Sequence, residues 1–209
     1  MLAVMTPALT LVERKRRQAR QRIIEAAREL FLERGFDDVS VGDIAERAEV
    51  GRTTFFRYFG DKQEVVFALE EELLETITAA AQADDTPAAR NATEAVEQLR
   101  PILLALCAQA TADPEAYTRH FQLIDQHPEL RARDAVKMQQ IAGKLSDLLV
   151  HRGSDEATAV FAAQVALACY QTAKRLGNNP RTLVDETRAA FGQALALGAD
   201  AAETEALSP

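Results

Sequence analysis

Cysteine and histidine are scarce in this sequence of 209 residues, which contains two cysteines and three histidines. Cys107 and Cys169 each lie among Leu and Ala at helical spacing, so we expect reduced thiols in a core rather than a disulfide or a metal pair. His120, His127 and His151 have no carboxylate-rich or cysteine-rich companions at metal-ligand spacing. The sequence therefore predicts neither a metal site nor a cofactor.

Long apolar runs and enzyme motifs are also lacking. No segment approaches the roughly 20 consecutive apolar residues of a membrane span. The opening MLAVMTPALTLV is followed by the charged segment ERKRR instead of the small-residue cleavage site of a secretory signal. We find no Ser/His/Asp set, no Walker loop and no glycine-rich dinucleotide motif. These absences predict a cytoplasmic protein that has no membrane partner and is not an enzyme.

Strand-like alternation of apolar and polar residues is absent as well. Apolar residues instead repeat at i, i+3, i+4 and i+7, as in Ile23, Ala26, Ala27 and Leu30. We therefore predict an all-α protein of about nine helices, broken chiefly by proline and glycine. They are expected near residues 13–35, 41–48, 51–59, 61–81, 88–111, 114–125, 128–151, 154–177 and 181–199.

The charge is acidic overall but unevenly distributed. Residues 1–62 carry 12 basic and 10 acidic side chains, a net charge of +2, whereas residues 63–209 carry 12 and 22, a net charge of −10. Six of the ten residues in 13–22, ERKRRQARQR, are basic. Such a segment can follow phosphates or enter a minor groove, or it can be a solvated tail. A polyanion is therefore expected at the N-terminal end.

Residues 40–60 fit two short helices joined by a tight turn, with the first long helix behind them. Apolar spacing directs one set of side chains towards that helix: Ile44, Ala45, Val50, Phe55 and Phe59. It leaves a second set facing outward: Arg52, Thr53, Thr54, Phe56 and Arg57. Arginine can bind guanine through two hydrogen bonds, and threonine can contact a phosphate or a thymine methyl. Lys62, in the next helix, is positioned for a second phosphate. The segment predicts a DNA-binding helix-turn-helix.

These residues resemble the TetR family of transcriptional regulators. The matching positions are Ser40-Val41, Ile44-Ala45, Ala48-Glu49-Val50, Thr54 to Phe59 and Lys62, with Ala26, Leu30-Phe31 and Gly35-Phe36 in the first helix. By position, the resemblance implies DNA contacts at Ser40, Arg52, Thr53, Thr54, Phe56, Tyr58 and Lys62, and helical direction adds Arg57. It also implies a dimer formed through the last two long helices.

Two residues depart from the family pattern. Glu49 occupies a turn position where the family usually has glycine, and a non-glycine residue at positive φ costs on the order of 1 kcal/mol or more. Phe56 replaces the usual tyrosine and has no hydroxyl for a phosphate. We expect an adjusted turn, and stacking or methyl contacts in place of that hydrogen bond.

The C-terminal helices predict an effector pocket between them. Its candidate lining is mostly apolar, and the same residues are also expected as ordinary core: Leu103, Leu104, Cys107, Tyr117, Phe121, Ile124, Phe161 and Tyr170. His120, Asp125 or Gln164 is a candidate for orienting the ligand.

The predicted organisation has four parts: a basic arm with the start of helix one (1–19), the helix-turn-helix domain (20–62), an effector-binding and dimerisation domain (63–199) and a disordered tail (200–209). The predicted function is that of a homodimeric repressor that releases a palindromic operator when an unidentified small molecule binds. One alternative is a helical ligand-binding or enzymatic bundle without a DNA role. Another is a non-specific architectural DNA binder, which the acidic body disfavours.

Overall fold

The computed structural model describes residues 10–82 and 85–206, and these form ten α-helices without a strand. The all-α prediction is confirmed. Within these ranges no helix is long and apolar enough to cross a membrane. The helices are α1 (Leu11–Arg34), α2 (Val41–Arg47), α3 (Arg52–Tyr58), α4 (Lys62–Val66), α5 (Ala68–Gln82), α6 (Ala92–Ala110), α7 (Pro114–Gln126), α8 (Pro128–His151), α9 (Glu156–Leu176) and α10 (Leu183–Ala206).

The extra helix arises because residues 61–81, expected as one helix, form α4 and α5. The interruption lies at Phe67, whose N–H donates to the Glu64 carbonyl at 3.2 Å in place of the carbonyl four residues back. Phe67 is fully buried, and Arg20 donates to the carbonyl of Ala68 at 3.2 Å. No glycine or proline marks this point, so tertiary packing overrides a continuous helical pattern.

The predicted disordered tail is a second difference. Helix α10 continues to Ala206, so the described part of residues 200–209 is helical, and residues 207–209 lie outside the described ranges. The segment AAETEA is rich in alanine and glutamate, which have high helix propensity. Composition alone therefore favoured a helix over a tail here.

Side-chain caps fix where six of the described helices begin. In each, an oxygen of the preceding residue accepts a hydrogen bond from a backbone N–H of the first turn, which has no partner inside the helix. The capping residues are Thr10, Ser40, Asp61, Asn91, Asp113 and Asp155. The Asn91 cap explains why α6 begins at Ala92 rather than near residue 88.

The chain divides into two compact units, residues 1–69 and residues 70–209. In the first unit, α1 supplies one wall of the core and α2 and α3 supply the other. The buried side chains include Ile23, Ala27, Leu30, Ile44, Ala45, Phe55 and Phe59.

In the second unit, α9 is central and contacts α6, α8 and α10. Its buried face is built largely of alanine, which lets neighbouring helices approach closely: Ala159, Ala162, Ala163, Ala166 and Ala173. Larger side chains from the neighbours fill the core, among them Leu99, Leu145, Leu148 and Phe191. Cys107 and Cys169 are buried and free.

Candidate DNA interface and interior site

The turn between α2 and α3 is closed by a Schellman motif. The N–H of Val50 donates to the Ala45 carbonyl at 2.9 Å, and the N–H of Glu49 donates to the Glu46 carbonyl at 3.0 Å. Glu49 has φ 53°, the left-handed conformation for which glycine is favoured. The turn therefore keeps the glycine geometry without the glycine.

Helix α3 is anchored by two phenylalanines that leave its other side free. Phe55 is fully buried and Phe59 is nearly so, whereas Thr54 and Tyr58 are half-buried. The exposed side chains are Arg52, Thr53, Phe56 and Arg57. Phe56 is 55% exposed, and its ring contacts Phe55 edge-on with the centroids 5.5 Å apart. Outward-facing residues predicted from the sequence thus lie together on one surface of the first unit.

Arg52 lies across Gly42 of α2. A Cβ added at Gly42 would be 3.1 Å from Cζ and 3.2 Å from Nε of Arg52 and would also meet its Nη2 atom. These atoms are the far end of an exposed, flexible side chain, so a larger residue at position 42 would displace the guanidinium from this place.

Ser40 is the N-cap of α2. Its hydroxyl oxygen accepts from the Asp43 N–H at 3.2 Å, and its hydroxyl donates to the Asp43 carboxylate, which also accepts from the Ser40 N–H at 2.8 Å. These bonds, the Ser40 hydroxyl first among them, lower the pKa of Asp43. This complete capping box is stronger than the partial one expected from a Ser-x-x-Asp sequence.

Lys62 has protein partners for its ammonium. Nζ donates to the carbonyls of Phe36 at 2.7 Å and Val39 at 3.0 Å, and it lies 4.3 Å from the centroid of the Phe36 ring. Lys62 therefore ties α4 to the connection between α1 and α2. A phosphate contact by Lys62 remains a prediction.

The basic segment at residues 13–22 is part of helix α1. Arg14, Lys15, Arg16 and Arg17 are exposed, and the first buried residue of α1 is Ile23. Two later arginines have partners in the same unit: the Arg20 guanidinium lies 5.2 Å from the centroid of the Phe59 ring, and Arg22 makes an exposed pair with Glu49 at 3.8 Å. Four successive cations thus remain exposed near the beginning of α1.

The candidate effector residues fall into two groups. Leu103, Cys107, Tyr117, Phe121 and Ile124 are buried, and Leu104, His120 and Tyr170 are half-buried, all within the second unit. The structure does not bring Phe161 or Gln164 to this interior. Phe161 is 57% exposed, and Gln164 is exposed and donates to Gln139 at 3.4 Å. Both lie on α9 away from its alanine-rich buried face.

Charged side chains accompany the interior aromatic residues. His120 Nε2 lies 2.8 Å from Glu70 Oε1, and Lys174 Nζ lies 3.3 Å from Asp134 Oδ2. We call Glu70, His120, Asp134 and Lys174 the interior polar cluster. It lies among aromatic rings: Lys174 Nζ is 4.1 Å from the Phe121 ring centroid, and the centroids of Phe121 and Tyr117 are 4.6 Å apart.

Burial dominates the electrostatics of this region. It raises the pKa of Asp134, and the negative charge of Glu70 raises it further, although Lys174 acts in the opposite direction. Burial also raises the pKa values of Tyr117 and Tyr170. The Tyr117 hydroxyl donates to Asn178 Oδ1 at 2.5 Å. These tyrosines are therefore neutral hydrogen-bonding groups at neutral pH.

Sequence reasoning missed Glu70, Asp134 and Lys174, although each occupies a core-facing helical position. Glu70 lies three residues after Phe67 and four before Leu74, and Asp134 lies four residues from both Leu130 and Met138. Lys174 follows Tyr170 by four residues. A charged residue at an apolar position of the repeat was the available signal.

The comparisons with known proteins agree with this geometry. Residues 23–69 match the family described as "Bacterial regulatory proteins, tetR family". The chain is 27% identical over 169 residues to the HTH-type transcriptional regulator TcmR of Streptomyces glaucescens, covering 79% of this chain and 74% of that regulator. It is 30% identical over 127 residues to the HTH-type transcriptional repressor AcnR of Corynebacterium efficiens, covering 57% of this chain and 67% of that repressor.

A solved structure shares the fold. The TetR-family repressor FadR of Thermus thermophilus, solved in complex with lauroyl-CoA, matches with a TM-score of 0.51 and 24% sequence identity. The match covers 84% of this chain and 92% of that one. With its helix-turn-helix, its all-helical second unit and these relatives, this chain belongs to the tetR family of bacterial regulatory proteins and is a DNA-binding transcriptional regulator.

Proposed function

We propose that this regulator is a homodimeric repressor that binds a palindromic operator through α3 and releases it when a small molecule enters the second unit. The observation that carries the DNA-binding part is the arrangement of α3. Phe55 and Phe59 anchor the helix while Arg52, Thr53, Phe56 and Arg57 remain exposed. A rigid helix with an arginine and small polar side chains on its free face suits the major groove.

The proposed contacts follow from this arrangement. Arg52 and Arg57 are assigned to bases or phosphates, Thr53 and Thr54 to phosphates or thymine methyls, and Phe56 to a thymine methyl or a sugar. Ser40, Tyr58 and Lys62 are assigned to the flanking backbone. The exposed cations of residues 14–17 are assigned to phosphates beyond the half-site.

Dimerisation is proposed through α9 and α10. The outer face of α9 exposes Val160 and Phe161, at 47% and 57%, and Leu197 of α10 is 75% exposed. Apolar side chains that are exposed in one chain suit an interface between two. A symmetric dimer would place two copies of α3 about one turn of DNA apart, roughly 34 Å.

The interior of the second unit is the proposed effector site. A ligand that favours the conformation with the lower operator affinity weakens DNA binding by linkage. The protein would act in the cytoplasm, where the operator is accessible. A helical bundle without a DNA role is not favoured for a member of a family of transcriptional regulators, and we propose no enzymatic activity.

The decisive experiment is selection of bound duplexes from a random DNA pool, followed by competition at near-physiological salt. We expect a palindrome that binds roughly a thousandfold or more tighter than bulk DNA. The double variant Arg52→Ala with Thr54→Ala should lose this preference, whereas Arg100→Ala, at an exposed position of α6, should retain it. Failure of the folded wild-type protein to enrich any sequence would refute the operator proposal.

A further inference from the structure

The interior polar cluster has an excess of acceptors. Among the described residues, Glu70 Oε2 and Asp134 Oδ1 are buried and have no hydrogen-bond partner. An unpaired polar atom away from water is costly, and native proteins satisfy nearly all such atoms. Both atoms belong to carboxylates, so the groups that complement them are hydrogen-bond donors or cations.

The cluster offers more carboxylate oxygens than donors. Each carboxylate has one partner within the cluster, His120 for Glu70 at 2.8 Å and Lys174 for Asp134 at 3.3 Å, and each keeps a second oxygen unpaired. The two carboxylates interact electrostatically, since Glu70 contributes to the raised pKa of Asp134. A ligand with a protonated amino group would supply the donors and the positive charge that these oxygens lack.

Lys174 indicates which kind of cation the surroundings suit. Its ammonium pairs with Asp134 at 3.3 Å and lies 4.1 Å from the Phe121 ring centroid and 5.7 Å from that of Tyr170. A carboxylate combined with aromatic faces stabilises an alkylammonium through a charge-assisted hydrogen bond and cation–π attraction. A compact metal ion would use the carboxylates but gain little from the aromatic rings.

The cluster is partly accessible. The exposed fraction of the side chain is 28% for Glu70, 22% for His120, 17% for Asp134 and 18% for Lys174. The two unpaired oxygens are nevertheless buried. A ligand amine can therefore approach the carboxylates from the solvent side. Tyr117 and Phe121 are themselves buried, so the remainder of the ligand would displace them or pack on the half-buried ring of Tyr170.

We propose that the effector of this regulator is an organic amine: a protonated amino group binds between Glu70 and Asp134, and an apolar or aromatic body packs against the interior aromatic residues. This inference rests on the proposed function, because it takes the interior of the second unit as the effector site. It adds the ligand class, which that proposal leaves open.

The probe for the test is dansylcadaverine, a fluorescent primary amine on a five-carbon chain, and its control is the N-acetylated derivative, which has nearly the same shape without the charge. Fluorescence titration of the full-length wild-type protein should give at least tenfold tighter binding of the amine. Comparable affinities for the two compounds, or no saturable binding of the amine at millimolar concentration, would overturn the proposal.

Two charge-matched variants locate the amine. Glu70→Gln should weaken amine binding about tenfold and leave the acetylated compound unaffected. Glu75→Gln removes a carboxylate that is 70% exposed on the same helix and should change neither affinity. Asp134→Asn should also lower the affinity for the amine, so the result does not depend on the folding of a single variant.

The remaining outcomes also decide between proposals. Equal effects of Glu70→Gln and Glu75→Gln would overturn the assigned site. So would saturable Zn²⁺ binding that Glu70→Gln abolishes in a protein without preference for the amine. Because the titration contains no DNA, loss of the amine preference and failure of the operator selection are separate results.

Discussion

Glu49 adopts a backbone conformation that usually requires glycine. Its backbone has φ 53° and closes the Schellman motif between α2 and α3. The left-handed conformation costs an L-residue roughly 1–2 kcal/mol, and the exposed pair with Arg22 at 3.8 Å offsets little of that cost. The turn geometry is therefore imposed by the hydrogen bonds and by the packing of α2 and α3 around it.

Glu49→Gly should consequently stabilise the protein by about 0.5–1 kcal/mol, because glycine adopts positive φ without a steric penalty. Urea unfolding followed by circular dichroism measures the difference. Glu46→Gly, the control within α2, should destabilise by about 1 kcal/mol. A destabilised Glu49→Gly variant would mean that the Glu49 side chain contributes more than its conformation costs.

Lys62 offers a second prediction at the residue scale. Lys62→Met removes the donor that serves the carbonyls of Phe36 and Val39, and it should lower the free energy of unfolding by about 1–2 kcal/mol. Lys15→Met, at an exposed position of α1, should have little effect. Equal unfolding free energies for the two variants would contradict the stabilising role of Lys62.

At the scale of elements, we expect the beginning of α2 to be sensitive to pH. The Ser40 hydroxyl bond is the main reason that the pKa of Asp43 is lowered, so folding favours the ionised carboxylate. That contribution is present above the ordinary value of 3.8 and is lost as the pH falls through the lowered folded value.

The wild-type protein should therefore melt at a higher temperature than Asp43→Asn near pH 7, and the gap should close as the medium is acidified below about pH 4. Thermal unfolding at a series of pH values measures the gap. Ser40→Ala should give a gap that narrows over the same range, because it removes the same bond. A gap that stays constant with pH would contradict the assignment.

Much of the element pattern was predictable because it depends on local spacing. The inward set of α2 and α3 and the outward set around Arg52 follow from residues within about twenty positions of one another. The turn at Glu49, for which the sequence predicts an adjusted geometry, instead keeps the left-handed conformation. The division at Phe67 was not predictable in this way, because the contacts of Phe67 and Ala68 come from distant parts of the first unit.

Three of the four residues of the interior polar cluster, Glu70, Asp134 and Lys174, were not predicted for a related reason. A glutamate or lysine at an apolar position of a helical repeat can extend its charge into solvent or pair with a charge on another helix. Only the arrangement of α5, α7, α8 and α9 decides between these. Phe161 illustrates the opposite case, since its apolar character suggested the interior and its place on α9 leaves it exposed.

At the scale of the whole molecule, a substitution at Phe161 tests the proposed dimer. Phe161→Glu places a charge on the outer face of α9, where burying it without a partner is costly, and it should convert the proposed dimer into monomers. Light scattering after size-exclusion chromatography measures the mass, and operator affinity should fall with it.

Val136→Glu is the control, because Val136 is also 57% exposed but lies on α8. It should leave the mass of the assembly unchanged. A Phe161→Glu protein that stays dimeric would exclude this part of α9 from the interface.

The glycine at position 42 has a consequence for how the operator preference of such a regulator can change. Arg52 occupies the space that Gly42 leaves open, so a larger residue there redirects an arginine without altering any side chain assigned to a base. In a symmetric dimer the same substitution occurs in both half-sites, and independent effects add in free energy. A change worth about tenfold in affinity per half-site therefore becomes about a hundredfold for the whole operator. In the proposed dimer, a substitution at position 42 would therefore act on both halves of the palindrome at once.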